Sequence, residues 1–579
     1  MVRRLVLNKK KLIQISRGLV LAELVLKNAK IVNVFTKSIE ANDIAISDGI
    51  IVGIGSYEGE NEIDLKGQYV APGFIDGHVH IESSMLTPNN YALATIPRGT
   101  TSIIADCHEI ANVAGKEGID FMIESAKSTV QDVFMMIPSC VPSTSFETSG
   151  AILKARDIKK YTENPSVYGL GEMMDYQGVL EGDKDVLNKL EDYSQLTIDG
   201  HAPGLSGKDL NAYILSGVET DHECVEASEL IEKVQRGMYV HLREGSQTKN
   251  LVDLLSGVSS AYYDRILLCS DDLHPSDILN VGHIDQNVRL AIKHGLDPIV
   301  AISMASINIA RCYHLNHYGA IAPGYYADLV VFKNIKKIDI NMVYKKGKLV
   351  AKDKQALFES RKIDPSKLLE SVNINLNKIN LDLTLKNQLV YIIGLVKNNI
   401  TTKKIKASII LEKGLFLSKN NPGLLKLAVI ERHHSSNNIG FGIVKDYGLS
   451  NGALALTIAH DSHNLICIGD NDIDMYKAIE KIKSIGGGIV LASEGHIIDF
   501  LPLEVGGLMS LNDGQYVQKK LLNLENEIRK LGVTNDIEDP FLQLAFLSLA
   551  VVPEIKVTDK GLFDVEKFQL IKLEVGEDS

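Results

Sequence analysis

Two histidines separated by one residue, His78-Val79-His80, end a short apolar run, GFIDGHVH. On an extended strand, positions i and i+2 point to one face, so both imidazoles can reach a single ion. By itself the pair is weak, because 16 histidines scattered over 579 residues would give about 0.4 such pairs by chance. An isolated pair reads better as two solvated or hydrogen-bonded histidines. The balance changes when the ends of other apolar runs are added: His201 in DGHAPGLSG, His222 in TDHE and Asp271 in CSDD. Four runs meeting at one place supply at least three imidazoles and a carboxylate, a donor set that suits Zn, Fe or Mn without choosing among them. Glu172, in GLGEMMD, is placed to bridge two such ions; its plainer reading is a surface or helix-capping carboxylate.

The element that would gather these residues is a barrel. From Val70 to about Asp272, eight apolar runs recur at intervals of roughly 20 to 35 residues, the spacing of βα units in a parallel sheet. Eight such units close a TIM-like (β/α)8 barrel, whose functional groups sit at the C-terminal ends of the strands. Nearly every run ends in a group that binds metal or moves protons: His78 and His80, Cys107 and His108, Ser139, Glu172, His201, His222, Arg243 and Glu244, then Asp271 and Asp272. Before the barrel, residues 22–70 alternate apolar and polar, with Asp48-Gly49 marking a hairpin. After it, DPIVAISMASINIARCYHL reads as one helix, and YADLVVF and NMVYKKGKLVAKD return to strand periodicity. These strands are expected to join the N-terminal ones in a small β-sandwich. From about residue 380 a separate α+β domain is expected, with two helical patterns among strand-like runs. The expected boundaries are 1–70, 71–318, 319–375 and 380–579.

The composition, 45% hydrophobic and 23% charged without a Pro- or Gln-rich tract, is that of a soluble globular protein of about two to four domains. A net charge of −12 lacks the basic footprint of a nucleic-acid binder. The 6 cysteines are scattered with no C-x-x-C pair, which points to a reduced, cytoplasmic protein. The start, MVRRLVLNKKKLIQISRGLVLAEL, reads as a solvated basic helix rather than a targeting signal, because the lysines at 9 to 11 interrupt its apolar stretch. No long uncharged apolar run follows, so no membrane partner is expected. H-x-E in combination with P-C-x-x-C is absent, excluding the cytidine-type zinc deaminases, and no G-x-S-x-G elbow supports a serine hydrolase.

The stretch VAPGFIDGHVHIESSMLTP resembles the first-strand signature of the amidohydrolase superfamily, and its IESSMLTP continuation is similar to the adenine deaminase family in particular. DCHEIANV, GLGEMMD, DGHAPGLSG, TDHE and CSDDLHP resemble segments of that family in the same order, and the similarity runs from about residue 22 to past 510. The resemblance implies that His78, His80 and Asp271 hold the more buried of two divalent ions. Glu172 would bridge it to a second ion held by His201 and His222, in the place that a carboxylated lysine fills in many relatives. Mn2+ or Fe2+ is implied, with Zn2+ as an option, and the implied reaction is hydrolysis of adenine at C6 to hypoxanthine and ammonia. Asp271 would move the proton. Glu82 and His108 are candidates to protonate N1 or, alternatively, to support the metal ligands. Asp272 would contact N7 or else cap the helix that opens at Pro275.

Two other readings compete: an amidohydrolase acting on a different cyclic amide or amidine, and a non-catalytic barrel scaffold. In the C-terminal region, His433, His434, Asn437, Asn438, His460, Asp461 and His463 lie at the ends of strand-like runs. They read as polar loop groups that face and close the barrel mouth rather than as a separate metal site. Dimerisation is the alternative role for that domain, and a homodimer is the expected assembly.

Overall fold

The computed structural model describes residues 2–397 and 399–576. Among these residues the eight predicted runs form eight parallel strands: Phe74–Val79, Thr100–Asp106, Asp132–Ile137, Val167–Met173, Thr197–Gly200, Thr220–Asp221, Tyr239–Arg243 and Ile266–Cys269. The first five pair in chain order in one ladder and the last three in a second. Two seams join the ladders into a TIM-like barrel. At one, the Glu219 amide donates to the Ile198 carbonyl at 3.0 Å; at the other, Val79 bridges Asp271, whose amide donates to the His78 carbonyl at 3.0 Å. The strands are buried on both faces, as expected when helices cover a parallel sheet, so they read as continuous apolar runs rather than alternating ones. Gly171 has no side chain for a local reason: a Cβ there would lie 2.0 Å from Asp106 Oδ2 on the neighbouring strand. That close approach lets the Asp106 carboxylate accept the Glu172 amide at 3.1 Å.

Strands from both sides of the barrel join in one nine-stranded sheet. Leu329–Phe332 pairs with Tyr69–Pro72, which continues through Ala22–Asn33 to the hairpin Ser38–Ser47 and Ile50–Gly55. Asp48 and Gly49 both have positive φ, 53° and 75°, the backbone that a two-residue turn requires. The segment expected to be one helix is two, Pro298–Met304 and Ile307–Cys312. The break has a visible cause: the Ala305 carbonyl accepts the Ile75 amide of the first barrel strand at 2.8 Å, and Ser306 leaves helical geometry at φ −150°.

The C-terminal region forms an eight-stranded sheet ordered Thr402–Ser408, Leu389–Leu395, Ile439–Lys445, Leu424–Ile430, Leu465–Gly469, Ala453–Leu456, Gly488–Ser493, His496–Pro502. The two predicted helices are Asp472–Ser484 and Gly514–Lys530. The sheet packs onto the loop after the third barrel strand. There Asn464 Nδ2 donates to the Thr148 carbonyl at 2.8 Å, His434 Nε2 to the Ser149 carbonyl at 2.9 Å, and the Thr148 amide to Asp559 at 2.8 Å. One apolar cluster includes barrel residues Ile110, Ile137 and Leu170 together with Leu427, Leu456, Leu503 and Leu547 of the C-terminal region. No helix among the described residues is long and apolar enough to cross a membrane.

This shared core makes truncation a sharp test. Cutting the chain after residue 378 strips one side of a buried apolar cluster and leaves a large exposed patch. The remaining fragment is expected to aggregate, or to bind a hydrophobic dye strongly while the intact chain does not. A soluble, dye-silent fragment would show that the two regions have separate cores.

Candidate metal centre and active site

The barrel brings all six predicted metal-binding residues to one place. His78 lies in the first strand and Glu172 in the fourth, while His80, His201, His222 and Asp271 follow the ends of the first, fifth, sixth and eighth. Asp271 has a positive φ of 57°, uncommon for a residue with a side chain; its pairing with Val79 accompanies this conformation. Glu172 stands between two sets of imidazoles. Its Oε1 is 3.3 Å from His80 Nε2 and 3.3 Å from His108 Nδ1, and its Oε2 is 2.6 Å from His201 Nδ1 and 3.2 Å from His222 Nε2. Asp271 Oδ1 is 3.1 Å from His80 Nε2 and 3.7 Å from His78 Nε2, and the two Nε2 atoms are 3.1 Å apart. The His78 and His222 rings stack with centroids 4.2 Å apart.

The electrostatics explain how so many acids and bases coexist. Burial alone would raise the Glu172 carboxyl, but His201, His222 and His80 together hold it well below the ordinary range. Burial would likewise raise Asp271, but Arg243 and His80 hold it well below. The Arg243 guanidinium donates to Asp271 Oδ2 at 2.8 Å and binds the Glu223 carboxylate on its other side. For His78 burial dominates, with His222 and His80 adding to it, and the imidazole is pushed down to about 3. It is therefore neutral at physiological pH, the form that binds metal. Carboxylate oxygens and imidazole nitrogens from His78, His80 and Glu172, and again from Glu172, His201 and His222, lie within 4.8 Å of one another. That convergence of N and O donors fits divalent metal ions.

The remaining candidates are placed as follows. Glu82 is buried on the turn Ile81–Ser84; its Oε1 accepts the Ile110 amide at 3.2 Å, while Oε2 has no hydrogen-bond partner among the described residues. His108 stands beside Glu172, with its ring 4.4 Å from that of His80. Asp272 accepts a hydrogen bond from Ser83 at 2.5 Å and does not cap the helix at Pro275, whose N-cap position is His274. His433 Nε2 donates to the Ser462 carbonyl at 2.8 Å, so it is taken up within its own domain, whereas His434 Nε2 is taken up by the Ser149 carbonyl of the barrel loop. Asn437 and Asn438 lie in the same turn, where Asn437 Nδ2 donates to the Ser435 carbonyl at 3.1 Å and the Asn438 amide to Ser436 at 3.2 Å.

Sequence reasoning missed Glu223, whose Oε1 lies 3.4 Å from His222 Nε2 and 3.8 Å from His201 Nδ1. It also gave Arg243 no partner. The available signal was adjacency, since Glu223 directly follows His222 and a lone arginine at a strand end needs an acid.

Residues 69–350 match the amidohydrolase family, and residues 399–569 match the adenine deaminase C-terminal domain. An adenine deaminase of Clostridium acetobutylicum is 50% identical over 560 residues, covering 96% of this chain and 98% of its own. Another, of Dehalococcoides mccartyi, is 45% identical over 98% of this chain and 99% of its own. The chain belongs to the adenine deaminase family. Membership accounts for the C-terminal region as well as the barrel, because both family matches fall on one chain in the order found here.

Two substitutions test the centre. Glu172→Gln should keep the fold, weaken the second ion and lower turnover at least a hundredfold, about 2.7 kcal/mol of barrier. Ion content and kcat check this, and a variant with the parent's ions and rate would remove Glu172 from the bridging position. Arg243→Met leaves the Glu223 and Asp271 carboxylates without their cation, a change that costs about 3–5 kcal/mol in buried pairs. Urea denaturation of the metal-depleted protein should report that loss.

Proposed function

We propose that this family member deaminates free adenine, replacing the C6 amino group with oxygen and releasing hypoxanthine and ammonia. The observation that carries the reading is identity along nearly the whole chain, barrel and C-terminal region alike, with proteins named adenine deaminase. The donor set at the barrel mouth supports it. His78, His80, Glu172, His201, His222 and Asp271 would hold two divalent ions, Mn2+ or Fe2+, with Zn2+ as the alternative. Such ions supply the Lewis acidity that makes water nucleophilic near neutral pH.

The chain's own groups then handle the protons. Asp271, kept ionised by Arg243 and His80, takes the proton of the attacking water and passes it to the departing nitrogen, so that ammonia leaves rather than an amide anion. Glu82 donates to the ring nitrogen N1 and recovers a proton from the C6 hydroxyl as the carbonyl forms and ammonia leaves. Burial pushes its carboxyl up to about 7, where it exchanges a proton readily near neutral pH, and Oε2 is free of other partners among the described residues. His108 orients Glu172 through their 3.3 Å contact, and Asp272, steadied by Ser83, takes the contact at N7. The chain is read as a small β domain of residues 1–70 and 319–375, a catalytic barrel of 71–318 and a covering domain of 380–579. A cytoplasmic location fits the six cysteines, all free and buried.

Adenine is expected to release ammonia while adenosine reacts at least a hundredfold more slowly in kcat/KM, because a mouth closed by the C-terminal region would reject ribose at N9. An ammonia assay on both compounds decides this, and equal rates would sink the base-specific reading.

A further inference from the structure

We propose that Glu109, His460 and His463 form an additional divalent-cation site, suited to Zn2+, where the C-terminal domain meets the barrel. Glu109 lies in the first turn of the helix His108–Ser128, just after the second barrel strand. His460 and His463 come from the loop between the strands Ala453–Leu456 and Leu465–Gly469. The three share no residue with the clusters at the strand ends described above, and their ligand atoms lie within 4.8 Å of one another. The proposal rests on this geometry and not on the purine chemistry.

The spacing argues for a shared ion rather than hydrogen bonds. His460 Nδ1 is 3.4 Å from Glu109 Oε1, and His463 Nε2 is 4.0 Å from Glu109 Oε2. Both separations exceed the usual N–H···O range. The first equals the edge of a tetrahedron with bonds of about 2.1 Å, which is about 3.4 Å, and the second is longer, so His463 would move inward on binding. The side chains of Glu109, His460 and His463 are only 3%, 7% and 1% exposed, so bulk solvent does not reach them. Neither ring nitrogen of His463 has a hydrogen-bond partner among the described residues. A buried imidazole with both nitrogens idle is a rare and costly arrangement unless something binds it.

Charge points the same way. Burial, reinforced by Asp272 and Glu82, drives the Glu109 carboxyl well above its ordinary range, so an ionised Glu109 would need a cation beside it. Burial keeps His463 neutral and able to coordinate. Ser83 Oγ lies 2.8 Å from Glu109 Oε1 and so helps to position the carboxyl group, while the Phe546 ring stacks on His460 at 4.8 Å and fixes its plane. Two imidazoles and one carboxylate favour Zn2+ over Mg2+ or Ca2+. Asp461 Oδ1, 4.0 Å from His460 Nδ1, is within reach as a further donor. An ion here would pin the C-terminal loop to the barrel one hydroxyl away from Asp272, since Ser83 binds both acids.

The full-length protein, His463→Ala and His460→Asn are loaded with Zn2+, dialysed, and analysed for metal by mass spectrometry. Each variant should retain about one ion per chain fewer than the parent, as expected when a ligand is removed. Crystals of the Zn2+-loaded parent should show an anomalous-scattering peak among Glu109, His460 and His463. Glu172→Gln serves as the control: it should lose metal at the strand-end centre and keep the peak at the domain seam, so failure of either site is seen separately. The parent map is decisive even if a variant does not fold. No peak among the three residues overturns the proposal, whatever the ion counts.

Discussion

Carboxylates taken out of water and gathered at one point need positive charge beside them, because the interior cannot replace their hydration. At the mouth of this barrel Glu172, Glu223 and Asp271 are brought together by three different strands, with buried Asp106 accepting the Glu172 amide and buried Asp199 3.9 Å from His78. Arg243 neutralises part of the cluster by reaching both Glu223 and Asp271. The imidazoles supply nitrogen donors that can accept a metal or a proton according to what is present. Much of the surrounding architecture serves this balance: Gly171 makes room for Asp106, Ser270 and His283 surround Asp76, and Tyr313 donates to Asp199 at 2.8 Å.

The barrel was legible in the sequence because its strands are buried on both faces. Runs such as TTSIIADCHE and RILLCSDD have no alternation to confuse with a half-exposed sheet, and each ends in a polar residue that would be out of place in a core. The hairpin at Asp48-Gly49 was legible for a different reason, since two positive φ values leave few residue choices. The break at Ala305 was not, because its cause is a hydrogen bond to Ile75, far away in the chain. The edge strand Thr402–Ser408 escaped notice as well. Its lysines at 403, 404 and 406 face partly outward at the sheet edge, and a charged edge is a common way to discourage pairing with other chains.

Among the site residues, the imidazoles were legible from their positions and Glu223 was not. A metal ligand announces itself by residue type, whereas a carboxylate set beside ligands looks like any other acid until the fold shows what it faces. The same limit applies to the C-terminal loop. Its histidines could be singled out, but that His433 and His434 turn to backbone carbonyls while His460 and His463 approach Glu109 depends on how two regions dock.

The hydrogen bond from the Asp271 amide to the His78 carbonyl closes the barrel and also holds two candidate ligands in register. It joins the first strand to the eighth, so the contact has one of the longest sequence separations in the barrel. During synthesis the first strand leaves the ribosome long before its closing neighbour exists, with one edge unpaired. The centre therefore cannot mature early, because the last carboxylate arrives with the last strand. Assembly of the candidate centre thus waits on ring closure, and long-range closure of this kind is intrinsically slow.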